Sequence, residues 1–240
     1  MRMLLGVAMA ALLWAAPAQG QEIGLDEENR AYLRATVEGV SIQKIVDERG
    51  DFSLELKKGR EAVRIALGAA GITVEANGKT MVFDRSGATA QRRGQLRAAL
   101  ARSGALASYR RAVAAAEVRV EGRAGQQQPG VLDETLLLDG AFVSYLLGDD
   151  AALVRHGRRA ARQGYSLMRA AQFPACYDYY YAAMAAAFNI LLQCNSNALA
   201  AHQPYYNRPI LYWACQAEYL ARTQAAYYQF LACAAIPVGR

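Results

Sequence analysis

The 240-residue chain has only two histidines and no cysteine before position 176. His156 and His202 form no His-x-x-x-His pair, and no carboxylate cluster accompanies either, so a histidine-built metal centre is not expected. Cys-x-x-Cys is absent, which removes the common zinc and dithiol redox patterns. Gly-x-Ser-x-Gly and phosphate-binding glycine loops are missing as well. Acidic residues almost vanish at the C-terminal end, where Asp178 and Glu218 are the only two beyond position 175. On a helical hairpin they would lie roughly 20 Å apart by helix rise, against ~5–9.5 Å for a glycosidase pair. No catalytic residue, metal or cofactor is therefore assigned.

Long apolar runs are confined to the start. One basic residue, Arg2, precedes an uncharged stretch from Met3 to Ala16, and Pro17-Ala18-Gln19-Gly20 follows. Small residues at Ala18 and Gly20 fit the positions a signal peptidase reads, with cleavage after Ala18 as a close alternative. As a helix the stretch spans roughly 21 Å, too short for the ~30 Å hydrocarbon core. Residues 1–20 are thus expected to be a cleavable signal peptide, and the protein to be periplasmic or secreted. Later candidates are interrupted by Asn189, or by Glu218 and Arg222, so no transmembrane span is expected in the mature chain.

Charge is uneven. The total is +6. Residues 21–84 hold nine basic and twelve acidic side chains, whereas residues 85–175 hold fourteen and seven. The basic middle, with Arg92, Arg93, Arg110, Arg111, Arg158, Arg159 and Arg162, could meet an anionic polymer, but solvated helix faces are the more economical account. Nucleic-acid binding is not expected of an exported chain without a recognised binding fold.

Apolar spacing at Leu33, Val37 and Val40 predicts a helix within Leu25 to Asp47. Phe52 to Leu56 alternates as a strand, and Ala62, Val63, Ala66 and Leu67 predict a helix over 58–70. Ile72 to Ala76 and Lys79 to Phe83 flank Asn77-Gly78, which marks a hairpin with a type I′ turn. Residues 21–84 are accordingly expected to be a small α+β unit of strand, helix and hairpin. That order resembles the short β-α-β modules at the start of some outer-membrane secretins and receptors, without a shared motif that would carry function across.

From residue 85 to 240 the composition predicts a helical domain. Helices are expected over 91–117 with a break near Gly104, from Asp133 to Leu147, over 151–163, from about Ala175 to Ala200, and from Pro209 to Ala234, with a linker at 122–130. The predicted fold class is mainly α with a small N-terminal α+β unit.

All four cysteines lie at 176, 194, 215 and 233. Eighteen residues make five helical turns, so each helix carries its two sulfurs on one face roughly 27 Å apart. A disulfide needs Cα atoms roughly 4.4–6.8 Å apart, which excludes pairing within a helix. Facing residues of an antiparallel hairpin have a constant sum of numbers. Cys176 with Cys233 and Cys194 with Cys215 both sum to 409, so both bridges close in one register. The arrangement resembles twin-cysteine helical hairpins in its geometry.

His156, among arginines, is expected to be an exposed helix residue. His202 lies in the hairpin loop with Tyr205, Tyr206 and Asn207, and these four residues form the candidate binding surface. Eleven of fourteen tyrosines lie at or beyond Tyr165. They suit either recognition or packing of the hairpin against the middle helices. The expected function is non-catalytic binding of an envelope or extracellular protein or polysaccharide. A secreted hydrolase acting on cell wall or another extracellular polymer is the alternative.

Overall fold

The computed structural model describes residues 20–83, 90–122, 130–167, 175–200 and 208–235. Its first third corrects the expected fold class. Residues 22–83 contain no helix; they form a seven-stranded antiparallel sheet in the order of the chain, and the molecule is α+β rather than mainly α. The strands are β1 (Glu22–Leu25), β2 (Ala31–Val37), β3 (Val40–Val46), β4 (Phe52–Lys58), β5 (Glu61–Gly68), β6 (Gly71–Ala76) and β7 (Lys79–Phe83). The helices expected within 25–47 and over 58–70 are therefore strands, and the likeness to a β-α-β module falls with them.

Short turns make this possible. Val37 pairs directly with Val40 across Glu38 and Gly39, both at positive φ, as a type I′ turn requires. Asn77-Gly78 does the same between β6 and β7, as expected. Lys58 pairs with Glu61 across Gly59-Arg60, where only Gly59 has positive φ. With such loops each strand can lie beside its neighbour without a crossover.

Alternation divides the sheet into two faces. Inward, Leu33, Lys44, Leu54, Ile65, Val74 and Met81 are successive register partners across the strands, and all but Met81 are fully buried. Lys44 is the one charged member of that row. Outward, Glu22, Arg34, Gln43, Glu55, Arg64, Glu75 and Thr80 form another row, exposed or half-buried throughout.

The helices are α1 (Ala90–Leu100), α2 (Gly104–Gly122), α3 (Val131–Leu146), α4 (Ala152–Leu167), α5 (Ala175–Ala200) and α6 (Arg208–Ala235). Helix α2 packs on β3, β4 and β5, while α6 packs on β1, β2 and β3. Two turns of the sheet seat α6. A Cβ on Gly50 would lie 2.4 Å from the Ala221 carbonyl oxygen. Asn29 Nδ2 donates to the Tyr228 hydroxyl, which donates in turn to the Asn29 carbonyl, both at 3.1 Å.

Helix α3 is central. Of its sixteen residues, those from Asp133 to Gly140 are all buried, together with Phe142, Val143, Tyr145 and Leu146. Phe142 meets Phe52 of β4 edge-on at 5.4 Å, and Gly140 admits Val113 of α2 so closely that a Cβ would stand 2.5 Å from it. Helices α5 and α6 lie against each other and carry both disulfides in the expected pairing. Cys176–Cys233 and Cys194–Cys215 have Cα atoms 5.8 and 5.7 Å apart, and no cysteine is free. The expected signal peptide lies outside the described residues, apart from Gly20. No helix among the described residues is long and apolar enough to cross a membrane.

Candidate functional site

Four polar side chains of α3 bond to four different elements and together form a buried polar cluster. Asp139 is fully buried and binds Lys44 Nζ of β3 at 2.5 Å, while Gln224 Nε2 of α6 donates to the same oxygen at 3.3 Å. The Lys44 ammonium also lies 4.0 Å from the ring centre of Tyr227 and 5.2 Å from that of Phe52, so π faces supply part of the solvation that water would give. Burial pulls the Lys44 ammonium below its ordinary range and pushes the Asp139 carboxyl above its own; the mutual contact opposes both movements.

One turn away, Thr135 donates to the Val131 carbonyl at 2.8 Å and shares a hydrogen bond with the Tyr227 hydroxyl. Since the single threonine proton is committed to Val131, Tyr227 is the donor between them. Glu134 faces the opposite side of α3, where it accepts from the Tyr181 hydroxyl of α5 at 2.5 Å. Burial lifts its carboxyl to about 7, against opposition from the Tyr181 bond and from Arg159. Asp133 accepts from Arg119 of α2, at 3.1 Å from Nε and 2.6 Å from Nη2.

These contacts tie α3 to the sheet, to α2, to α5 and to α6. Their chemistry is closed: Lys44 and Asp139 are 0% exposed and Glu134 2%. A lysine with a depressed proton affinity and a carboxyl near neutrality are the ingredients of nucleophilic and acid–base catalysis. Here they are spent on each other and on tyrosines, out of reach of a substrate.

His156 corrects another expectation. It is buried, not exposed, with Nδ1 3.4 Å from the Tyr219 hydroxyl. The adjacent Gly157 explains how: a Cβ there would stand 2.3 Å from Phe188 and 2.8 Å from Tyr219, so α4 approaches α5 and α6 closely enough to cover the imidazole. Burial, followed by the charges of Arg159 and Lys44, lowers the ring to about 3 and keeps it neutral.

The tyrosines of the hairpin serve mainly as packing. Tyr180, Tyr181, Tyr219, Tyr227 and Tyr228 are buried, and Tyr180 stacks on Phe230 at 4.8 Å, while Tyr179 alone is a strongly exposed tyrosine among the described residues. The candidate binding residues His202, Tyr205, Tyr206 and Asn207 lie outside the described residues. Two of the arginines singled out in the basic middle are paired: Arg93 with Asp150, and Arg159 with Glu117 and Glu121. Among the described residues no group of three or more metal-ligating side chains exists.

None of the buried contacts was visible in the sequence. Lys44 and Asp139 are 95 positions apart and Thr135 and Tyr227 are 92 apart. One signal was present: Val40, Ile42 and Val46 alternate, and Lys44 stands where the next inward residue belongs. No family model matches the chain, and no curated protein or solved structure matches it either.

Proposed function

We propose that this chain is an extracytoplasmic, non-catalytic binding protein whose partner is an envelope or extracellular protein or polysaccharide. The observation that carries the reading is the sealing of its titratable core. Lys44, Asp139, Glu134 and His156 are all buried and each contacts a protein side chain, so the most reactive-looking groups act as architecture. Two disulfides support an oxidising compartment.

Recognition is assigned to the loop bearing His202, Tyr205, Tyr206 and Asn207. In sequence these residues fall between α5 and α6, two helices that the Cys194–Cys215 bridge ties together. The test is cross-linking of the immobilised protein to extracytoplasmic extract, followed by the same experiment with alanine at all four positions. Loss of the cross-linked species with unchanged thermal stability is expected. Retention of every species would remove this loop from consideration, and turnover of purified peptidoglycan by the wild-type chain would replace binding with hydrolysis.

A further inference from the structure

Two cations meet on one neutral oxygen where β4 ends against α2. Lys58 Nζ donates to Ser108 Oγ at 2.8 Å, and Arg111 Nη2 donates to the same atom at 2.9 Å. The two nitrogens therefore stand within about 6 Å of each other, close enough for like charges to repel. Other arginines of the helical part take carboxylates: Arg119 binds Asp133, Arg155 binds Asp149, and Arg159 binds Glu117 and Glu121. Among the described residues, neither Lys58 nor Arg111 forms an ion pair.

Local structure brings the pair together. Lys58 continues the inward row of Leu54 and Leu56 at the end of β4, the strand on which α2 packs. Ser108 and Arg111 are three apart on α2 and so are neighbours on its surface. Ser108 is fully buried and acts as a fixed post, whereas both cations are exposed. Glu61, the register partner of Lys58, is committed elsewhere, since its Oε2 accepts the Ala105 N–H at 3.1 Å. Lys57 is offset by Glu55 at 2.9 Å, while Arg60 in the β4–β5 turn and Arg110 beside Arg111 are exposed and add positive charge.

We propose that Lys58 and Arg111 form an oxyanion site for a phosphate group, with Ser108 as the residue that positions them. Each cation spends one proton on Ser108 and keeps the others for a ligand on the solvent side. A phosphate group suits them better than a carboxylate. Its tetrahedron can offer one edge to the planar guanidinium fork and another oxygen to the ammonium, and as a monoester it carries charge to meet both cations. A metal cation is excluded by sign. The site shares no residue with the loop at 202–207 and does not depend on it.

Inorganic phosphate is the probe, titrated into the disulfide-intact protein at constant ionic strength with chloride as the balancing salt. The NMR signals of the Arg111 Nε–H and Lys58 Cε–H groups should shift saturably, with one dissociation constant for both. Lys58→Gln and Arg111→Gln should each weaken binding about tenfold. Ser108→Ala keeps both charges but releases them, and should cost about threefold. Arg110→Gln removes the same charge one position away and should leave the constant within about twofold. Displacement of phosphate by glycerol phosphate alone would place the group on a soluble ester, and displacement by phosphatidylglycerol vesicles would place it on a lipid headgroup. Wild-type signals that move without saturating would overturn the proposal. So would equal losses in Arg110→Gln and Arg111→Gln, which would reduce the pair to a diffuse basic surface. The wild-type titration stands even if a variant does not fold.

Discussion

Replacing Glu134 by glutamine should make the protein more stable in mild alkali and leave it nearly unchanged in acid. The folded carboxyl titrates at about 7, against 4.5 for the ordinary group. Each tenfold change in proton affinity is worth about 1.4 kcal/mol, so the ionised folded state is disfavoured by about 3 kcal/mol relative to a free glutamate. The sign follows from linkage. A raised folded value means the native state binds the proton more tightly, so stability is fully present below pH 4.5 and declines as pH rises through 7. Glutamine has no proton to lose, keeps the volume, and can still accept from Tyr181. Urea unfolding of wild type and Glu134→Gln, disulfides intact, at steps from pH 4 to pH 9 measures the difference directly. The curves should lie close together at pH 4 and diverge by about 3 kcal/mol by pH 8. A difference that stays flat across the series would refute the claim that this carboxyl is desolvated and ionises in place.

Acid should act through His156 with the opposite sign. Its folded value of about 3 lies below the ordinary 6.5, so stability is present above pH 6.5 and lost on acidification. His156→Gln should remove about 2 kcal/mol of the loss between pH 6.5 and 5, seen in the same unfolding series. Lys44→Met should destabilise by about 3–5 kcal/mol because Asp139 is left buried without its cation, whereas Lys44→Met with Asp139→Leu should recover most of that loss in thermal unfolding. Peptide mapping of unreduced protein should yield only the 176–233 and 194–215 linked pairs; a 176–194 peptide would contradict the hairpin.

The C-terminal half was legible because its signals are periodic over many turns. Helix α5 begins and ends at Ala175 and Ala200 as expected, and the constant sum of cysteine numbers specifies both bridges. The N-terminal sheet differs from the expected helices for a reason inherent in the two periods. Positions four apart share a face on a helix and on a strand alike, so Val63 and Leu67, or Leu33 and Val37, satisfy both. The deciding residues were Ile65, which belongs inward only at period two, and Glu38-Gly39, whose turn potential is weaker than that of Asn-Gly. Lys44 concealed β3 further by placing a charge on the apolar face. Its partner Asp139 comes from a distant helix, and only the three-dimensional packing reveals why a lysine is tolerated there. The α3 cluster could not be read for the same reason: each of its side-chain-to-side-chain bonds joins residues from separate elements.

Helix α6, the final described element of the chain, covers β1, β2 and β3, the earliest. The polypeptide is thereby closed like a ring whose ends are joined by packing instead of a bond. A ribosome or export channel that releases the chain from its N-terminus would free a sheet able to zip itself up strand by strand, yet the oily side of β1 and β2 and the Tyr227 face over Lys44 would stay uncovered until the last thirty or so residues arrived. Shortening the protein from the C-terminus into α6 should therefore harm the N-terminal sheet as well as the disulfide-joined α5, so damage at one end of the sequence reaches strands at the other.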